Sequence, residues 1–348
     1  MMRIDADDKR FTYMGRIDWE NKKAPVWIFP CTSVKFRFSG NLLRIRVKNH
    51  KAYWDNYLGC ILDGEQTSIR LPEEGYCEIS IPVVHKEREF HEVCLFKRQD
   101  SCHELTFMGV EISEGEELLP SLKIPQRRIE VYGDSVSAGE VSEAVNFTER
   151  EDPPHNGEYS KSWYSYAWMT ARKLDAQIHD IAQGGIALMD ETGWFCEPKY
   201  VGMEKIWDKI QYNPQLGKAK SWDFSSYTPD VVIVAIGQND SHPVDFMKDD
   251  YEGELAGKWR RKYGEFLIKL REKYPCAWII CCTTLLNHET AWDRGIGEVV
   301  QMLKDEKITQ YLFRRNGKGT PGHLRISEAE EMAQELSQYI ISLGIEGW

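Results

Sequence analysis

Long apolar runs are missing from this sequence. No stretch approaches the roughly 20 consecutive apolar residues that a helix needs to cross a bilayer. The N-terminal segment, residues 1–9, also has no apolar stretch of the kind found in secretory signals. We therefore expect a cytoplasmic protein that has no membrane partner.

Patterns typical of metal and cofactor sites are absent as well. The nine cysteines are odd in number and scattered without metal-ligand spacing, and the nine histidines include no His-x-x-x-His pair. The sequence therefore predicts no metal ion and no cofactor. Most of the cysteines are expected to be small buried apolar residues in a reducing compartment.

An excess of positive charge is also lacking. Lysine and arginine number 44 against 55 aspartates and glutamates, so the formal net charge is −11. A field of this sign does not attract nucleic acids or anionic membranes, and neither partner is expected. The sequence contains no internal repeat, and nothing in it indicates the oligomeric state.

Residues 1–122 carry strand patterns without a helical period. Alternation of apolar and charged residues is clearest in Val34–Phe38 and Leu43–Val47, as in half-buried strands. Turn signals such as Asp63-Gly64 separate the segments. Strands are predicted at Val26–Phe29, Val34–Phe38, Leu42–Val47, Tyr57–Leu62, Tyr76–Ile81, Val93–Phe96 and Leu105–Ile112. The first domain is therefore predicted to be a β-sandwich of jelly-roll type.

Residues 123–348 alternate between strand and helix patterns. Val231–Ile236 is a continuous apolar run, typical of a strand buried on both faces of a parallel sheet. Ser327 and Glu330 predict a capping box at the start of a terminal helix. Further strands are predicted at Ile129–Tyr132, Ile178–Ala182 and Ala277–Thr283, and helices at Trp163–Leu174, Val201–Ile210 and Trp259–Lys273. The second domain is therefore predicted to be a three-layer α/β/α fold with a parallel sheet.

The carboxyl ends of these predicted strands carry a distinct set of residues. Ligands of parallel α/β folds bind beyond those ends. Taken alone, each motif is more typical of an ordinary turn or helix cap. The motifs at the three strand ends and before the last helix are Gly133-Asp134-Ser135, Gly184-Gly185, Gly237-Gln238-Asn239-Asp240 and Thr320-Pro321-Gly322-His323.

Together these residues supply what acyl transfer needs. The hydroxyl of Ser135 is a candidate nucleophile, and His323 is a candidate base for its proton. The oxyanion that forms during attack requires hydrogen-bond donors already in place. The candidate donors are the backbone N–H groups of Ser135 and Gly185 and the side-chain amide of Asn239.

The four motifs, in this order, resemble the four blocks of the SGNH (GDSL-type) hydrolase superfamily. Across its length the chain resembles carbohydrate esterase family 2, and three stretches carry this likeness: Tyr13-Met14-Gly15-Arg16, Arg127-Arg128-Ile129-Glu130 and Trp163-Tyr164-Ser165-Tyr166-Ala167. The resemblance implies an N-terminal β-sandwich and a C-terminal SGNH domain. It also implies removal of acetyl groups from plant polysaccharides or their fragments.

The resemblance further implies roles for individual residues. Ser135 would be the nucleophile and His323 the general base, with Gly185 and Asn239 completing the oxyanion hole. One position departs from the superfamily pattern, because Gly184 stands where a serine usually precedes the glycine.

A second departure concerns the group that orients the imidazole. The superfamily usually has an aspartate two or three residues before the histidine, where this chain has Pro321 and Thr320. Some members of the family work as a Ser–His dyad with a backbone carbonyl in that role. We therefore expect the carbonyl of Thr320 or Pro321 to orient His323. A remote carboxylate such as Asp293 is the alternative.

The expected substrates are acetylated xylo- or manno-oligosaccharides, and the sequence does not choose between them. A lipase or thioesterase on the same domain is the first alternative, and a non-catalytic carbohydrate-binding protein is the second. Four tryptophans in or near predicted loops are candidates for stacking on sugar rings, although core packing is the alternative for each: Trp163, Trp194, Trp222 and Trp292.

Overall fold

The computed structural model describes residues 1–120 and 122–348, and the chain divides into two compact units. The first unit is Met1–Ile124, His155–Glu158 and Ile210–Lys220, and the second is Pro125–Pro154, Tyr159–Lys209 and Ser221–Trp348. Hydrogen bonds explain why two later segments belong to the first unit. The Asp55 N–H donates to the Asn156 carbonyl (3.0 Å), and Asn213 Nδ2 donates to the Ser101 carbonyl (2.7 Å). The single domain boundary after residue 122 that the sequence predicts would assign both segments to the second domain.

Two antiparallel sheets build the first unit. One has the order β3-β4-β11-β6-β9, with β1 also paired to β11, and the other has the order β2-β5-β10-β7-β8. The strands are β1 (Met2–Ile4), β2 (Thr12–Met14), β3 (Ile17–Asp18), β4 (Val26–Trp27), β5 (Ser33–Ser39), β6 (Leu43–Lys51), β7 (Tyr57–Leu62), β8 (Glu65–Arg70), β9 (Glu74–Ile81), β10 (Phe90–Lys97) and β11 (His103–Ile112). Phe36 and Phe38 of β5 are buried, whereas Lys35 and Arg37 are only partly covered. The predicted β-sandwich is therefore confirmed.

Four strands of this unit were not predicted from the sequence. Three of them, β1, β2 and β3, have only two or three residues each, which is too short for a periodic pattern to emerge. The fourth, β8, is polar and almost entirely exposed at the edge of its sheet. An edge strand of this kind contributes little to the core and so lacks the apolar alternation that marks a strand.

A five-stranded parallel sheet forms the centre of the second unit, in the order β13-β12-β16-β17-β18. The strands along this half of the chain are β12 (Arg127–Gly133), β13 (Ala176–Ala182), β14 (Lys209–Gln211), β15 (Lys220–Ser221), β16 (Val231–Ala235), β17 (Trp278–Cys281) and β18 (Ile308–Gln310). All five residues of β16 are buried, as its apolar run predicts. Strands β14 and β15 pair only with each other.

Helices complete the predicted three-layer fold, which is confirmed. They are α1 (Ser135–Ala138), α2 (Tyr166–Lys173), α3 (Met203–Ile206), α4 (Phe246–Asp249), α5 (Glu254–Lys273), α6 (Thr290–Leu303) and α7 (Ile326–Ser342). Helix α2 packs against α7, and α5 packs against α6. Within residues 1–120 and 122–348, none of the helices has the length and apolar character required to cross a membrane.

Two predicted helices differ from those in the structure, and one helix was not predicted. The helix predicted at Val201–Ile210 is a single turn, α3, because the chain enters β14 at Lys209. Helix α6 was not predicted, although Trp292, Ile296 and Val299 keep a helical spacing; Gly295 and Gly297 lower its intrinsic helix propensity. The terminal helix begins earlier than expected. Its cap is formed by Arg325, whose backbone N–H donates to Glu328 Oε2 (2.7 Å), rather than by Ser327 and Glu330.

Gly133 allows the chain to turn from β12 into α1. A Cβ atom at this position would overlap both Cβ and Oγ of Ser137. The Ser137 side chain is fully buried, and its hydroxyl lies 2.8 Å from that of Tyr166, so it has no room to move aside. A glycine is therefore needed for α1 to pack against the end of β12.

We expect Gly133→Ala to lower the free energy of unfolding by about 1–3 kcal/mol, the usual cost of overpacking a filled site. The control is Gly257→Ala on α5, where the nearest atom to the new methyl would be the flexible Arg261 Nη1 at 3.4 Å. Because glycine is unfavourable inside a helix, this control is expected to raise the free energy of unfolding by about 0.5–1 kcal/mol. Urea unfolding measures both changes, and a Gly133→Ala variant as stable as the parent would contradict the prediction.

Candidate active site

Ser135 lies at the carboxyl edge of the parallel sheet, as the first residue of α1. The preceding residue caps this helix, since Asp134 Oδ1 accepts the Val136 N–H at 2.9 Å. Asp134 Oδ2 accepts hydrogen bonds from Gln238 Nε2 (3.2 Å) and Asn239 Nδ2 (3.3 Å). Burial raises the pKa of the Asp134 carboxyl, although the hydrogen bonds from Val136 and Gln238 oppose this. Asp134 therefore ties the serine loop to the loop that follows β16.

The hydroxyl of Ser135 is free to react. The residue is 6% exposed, and within the described part of the chain its Oγ makes no hydrogen bond. Its backbone N–H is the first of α1, and no carbonyl lies one turn earlier in the helix to accept it. A hydroxyl and an N–H donor are thus available at the same residue.

His323 is held by a carboxylate that the sequence did not reveal. Its Nδ1 lies 2.5 Å from Asp152 Oδ2, and its backbone N–H donates to Asp152 Oδ1 at 2.9 Å. A ring nitrogen that donates to a carboxylate carries the proton, which leaves Nε2 as the acceptor. The imidazole side chain is 22% exposed, so Nε2 can be reached by a substrate.

Two of the groups expected to orient His323, the Thr320 carbonyl and Asp293, have other partners. The carbonyl of Thr320 accepts the N–H of Asn287 (2.8 Å) rather than the imidazole. Asp293 lies 3.2 Å from Nε2 of a different ring, His288. The prediction of a dyad oriented by the carbonyl of Thr320 or Pro321 is therefore corrected in favour of Asp152, because a carboxylate already occupies the position next to Nδ1.

Arg325 fixes Asp152 from the side opposite the imidazole. Its guanidinium is fully buried, and Nη2 donates to Asp152 Oδ1 at 2.8 Å. Nε donates to the Ala144 carbonyl at 3.1 Å, and Nη1 donates to the carbonyl of His323. One buried cation thus holds both the carboxylate and the backbone of the histidine loop.

Charge pairing shifts both titratable groups of this triad. Burial acts to raise the pKa of Asp152, but the hydrogen bonds and charges of His323 and Arg325 outweigh it and hold that pKa well below its usual range. Burial acts to lower the pKa of His323. The hydrogen bond to Asp152 and the charges of Glu140, Asp152 and Asp134 outweigh that effect and raise the pKa above 6.5.

These contacts bring the serine and histidine loops into one neighbourhood. The charge of His323 interacts with Asp134 and Glu140, which flank α1 on both sides. The N–H of Ile326 donates to the carbonyl of Ser142 at 3.1 Å, which joins the start of α7 to the chain after α1. Ser135 and His323, 188 residues apart in sequence, therefore lie at the same edge of the sheet.

Gly185 and Asn239 stand beside this serine loop as the remaining oxyanion candidates. Gly185 has φ +72, and a Cβ there would lie 2.8 Å from the Cβ of Trp194, so only glycine fits. In the described residues its N–H has no acceptor, which leaves it available. Asn239 Nδ2 donates to the Ile186 carbonyl (3.0 Å) as well as to Asp134, so this amide is anchored between two loops.

The four candidate stacking tryptophans differ in accessibility. Trp292 is fully buried and donates through Nε1 to Asp245 (3.1 Å), so the stacking prediction is wrong for this residue. The guanidinium of Arg172 lies 3.9 Å from the ring of Trp163, and Trp222 packs edge-on against His179. Trp194 is 54% exposed beside Gly185.

The exposed ring of Trp194 is supported from behind. It stacks on His242 with ring centroids 3.4 Å apart, and its backbone N–H donates to the Gly185 carbonyl at 2.7 Å. One flat aromatic face is therefore presented next to a candidate oxyanion donor, in an orientation fixed by its neighbours.

Sequence reasoning missed Asp152 and Arg325. Asp152 lies 171 residues before its partner, in a charged loop that precedes Pro153 and Pro154. No motif or periodicity distinguishes it from the neighbouring Glu149 and Glu151. Arg325 stands two residues after the histidine, and this spacing is the one local signal that could have identified it.

Comparison with known proteins supports the fold and the family resemblance. The family described as "Carbohydrate esterase 2 N-terminal" matches residues 13–121. The chain is 26% identical over 303 residues to the cellulase/esterase CelE of Acetivibrio thermocellus, covering 86% of this chain and 34% of that protein. It thus spans about a third of the length of that relative.

Two further likenesses extend over almost the whole chain. An acetylxylan esterase / glucomannan deacetylase of Cellvibrio japonicus is 26% identical over 341 residues, covering 96% of this chain and 89% of that protein. A solved structure of a family two carbohydrate esterase from Clostridium thermocellum, in complex with cellohexaose, is 25% identical with a TM-score of 0.78, covering 96% and 99%. These findings confirm the resemblance to carbohydrate esterase family 2 that the sequence predicted.

Proposed function

We propose that this chain is a serine esterase that removes O-acetyl groups from carbohydrates through an acyl-enzyme. The observation that carries the proposal is the 2.5 Å contact between His323 Nδ1 and Asp152, at the sheet edge where Ser135 offers a hydroxyl that makes no hydrogen bond with the described residues. An imidazole held in this way is the base that a serine nucleophile requires. The names of the relatives, which include an acetylxylan esterase, support the same class of reaction.

In the first half of the proposed reaction, Ser135 attacks the acetyl carbonyl. Nε2 of His323 accepts the hydroxyl proton, while Nδ1 keeps its proton on Asp152 and the imidazolium is stabilised by that carboxylate. The new oxyanion is bound by the N–H groups of Ser135 and Gly185. The amide of Asn239 donates both of its N–H groups to Asp134 and Ile186, so it joins them by exchanging one of these bonds for the oxyanion. Removing one such donor typically costs about 10²–10³ in rate.

In the second half, the tetrahedral intermediate collapses and the sugar hydroxyl leaves with the proton from His323. Water then attacks the acetyl-serine while His323 accepts its proton. When this second tetrahedral intermediate collapses, His323 returns the proton to Ser135 Oγ and acetate is released. All proton transfers in this scheme use groups of the chain itself, and the scheme requires neither a metal ion nor a cofactor.

The proposed substrates are acetylated xylo- or manno-oligosaccharides. The exposed face of Trp194 supports a sugar ring as the leaving group, because flat aromatic faces pack well against the apolar faces of pyranoses. The relative from Cellvibrio japonicus, whose name includes both xylan and glucomannan, supports either backbone. The cytoplasmic location expected from the sequence stays a prediction.

Replacing Ser135 or His323 by alanine is expected to lower kcat by about 10⁴-fold or more, because each removes a member of a group that acts as a unit. The double variant is expected to lose little more than either single variant. Hydrolysis of 4-nitrophenyl acetate measures the effect. Turnover near that of the parent in either variant would refute the assignment.

Asp152→Asn is expected to lower kcat by about 10⁴-fold, since an amide at Nδ1 favours the wrong tautomer of His323. The base acts in its neutral form, so activity in the parent rises as pH increases through a His323 pKa that lies above 6.5. Without the Asp152 charge this pKa falls, and the residual activity is expected to show its acid limb at lower pH. A pH–rate profile measures the shift.

Two controls accompany this variant. Asp293→Asn removes the carboxylate that contacts a different histidine, His288. If Asp152 is the orienting group, this variant is expected to lower kcat by less than about tenfold. Thermal unfolding checks that Asp152→Asn remains folded, because Arg325 loses its partner charge. Loss of activity confined to Asp293→Asn would reverse the assignment.

The length of the acyl group separates the proposal from a lipase or thioesterase. We expect 4-nitrophenyl acetate to be hydrolysed with a higher kcat/KM than the butyrate and octanoate esters. The reverse order would favour a lipase, and no turnover of any ester would favour a carbohydrate-binding protein. Release of acetate from acetylated xylo- and manno-oligosaccharides, resolved by ring position, then identifies the backbone.

A further inference from the structure

A cavity of about 440 Å³ opens beside Asn239. This volume is within the usual range of small-molecule sites, about 300–1,000 Å³. We call it the side cavity. Its walls come from the loop after β16 and from the chain between β17 and α6, and the residues used below are Asn239, Asp245, Asn287, His288, Glu289 and Gly317.

The side cavity adjoins the candidate reacting groups on two sides. On one side, the amide of Asn239 is bonded to Asp134, the residue before Ser135. On the other side, Leu286 pairs in parallel with Thr320, and the N–H of Asn287 donates to the Thr320 carbonyl at 2.8 Å. Thr320 precedes His323 by three residues. The wall of the cavity is therefore continuous with the histidine loop.

The side cavity presents hydrogen-bond acceptors that have no partner among residues 1–120 and 122–348. Asp245 Oδ1 accepts Trp292 Nε1 (3.1 Å) and the Lys248 N–H (3.2 Å), which leaves Oδ2 available. Glu289 Oε1 pairs with Lys248 Nζ (2.7 Å), which leaves Oε2 available. The exposed side-chain amide of Asn287 makes no hydrogen bond with the described residues.

The side cavity is formed before any ligand arrives. Nδ1 of His288 donates to the Leu286 carbonyl at 2.7 Å, and its Nε2 lies 3.2 Å from Asp293. Gly317 packs on this ring, since a Cβ there would lie 3.0 Å from Nε2 of His288. With both nitrogens bonded and one face covered, the imidazole is a rigid part of the wall.

We propose that the side cavity is a subsite for a neutral sugar ring adjacent to the acetylated one. This inference rests on the proposed function and names where the rest of the oligosaccharide binds. Sugar hydroxyls donate to the free oxygens of Asp245 and Glu289, and the Asn287 amide both donates and accepts. A long acyl chain would bury these carboxylates without partners. A uronic acid would bring a negative charge against two carboxylates, of which Lys248 balances only one, and is therefore disfavoured.

Asn287→Ala and Glu289→Gln test the subsite. We expect each to raise KM for acetylated xylotetraose or mannotetraose about tenfold, the effect of losing one or two hydrogen bonds, with kcat changed less than twofold. Hydrolysis of 4-nitrophenyl acetate, which is too short to reach the side cavity, is expected to be unchanged. The matched controls are Asn41→Ala and Glu306→Gln, both at exposed positions outside the cavity.

The second test compares deacetylation of neutral and acidic oligosaccharides. The parent is expected to deacetylate a neutral tetrasaccharide at least tenfold more efficiently than one that carries a glucuronic acid, and Glu289→Gln is expected to narrow this ratio. Two results would overturn the subsite. One is that neither variant changes KM for the oligosaccharides, and the other is that the variants raise KM for 4-nitrophenyl acetate as much as they raise KM for the oligosaccharides. Ester hydrolysis that survives the Ser135→Ala substitution would instead overturn the proposed function.

Discussion

The ion pair between the buried guanidinium of Arg325 and the partly exposed carboxylate of Asp152 is the constraint on which the candidate site depends. A guanidinium with no solvent contact is tolerated only when it is paired and hydrogen-bonded, and breaking such a pair typically costs about 3–5 kcal/mol. Arg325 also caps α7, and Glu328 at the first turn of that helix accepts the N–H of Glu149 at 3.2 Å. The same contacts that begin the helix thus place the carboxylate next to His323.

Parallel topology explains how residues from distant parts of the chain meet. Strands β13, β12 and β16 are neighbours, so the loops that follow them leave the sheet side by side. Asp134 joins these loops through Gln238 and Asn239, and Asn239 in turn reaches the carbonyl of Ile186. The donors around Ser135 are therefore positioned by hydrogen bonds that already exist in the free protein, which is the preorganisation that stabilisation of an oxyanion requires.

Much of the fold could be predicted, because a buried strand leaves a local record in its sequence. The alternation in Val34–Phe38 and the apolar run of β16 depend only on which faces are covered. The polar edge strand β8 leaves no such record, and in helix α6 two glycines of low helix propensity stand within the apolar period. At the site, strand-end motifs indicated Ser135 and His323. Asp152 could not be found in this way, because its selection over Glu149 and Glu151 depends on contacts made across 171 residues.

The short segment His155–Glu158 has a consequence for how the two units are related in the chain. It belongs to the β-sandwich unit, where the Asn156 carbonyl accepts the Asp55 N–H and Arg98 Nη2 donates to the Glu158 carbonyl at 2.9 Å. Asp152 stands only three residues upstream. The loop that carries this carboxylate therefore continues directly into a segment of the β-sandwich unit. The two units alternate along the chain, and no single cut separates one from the other.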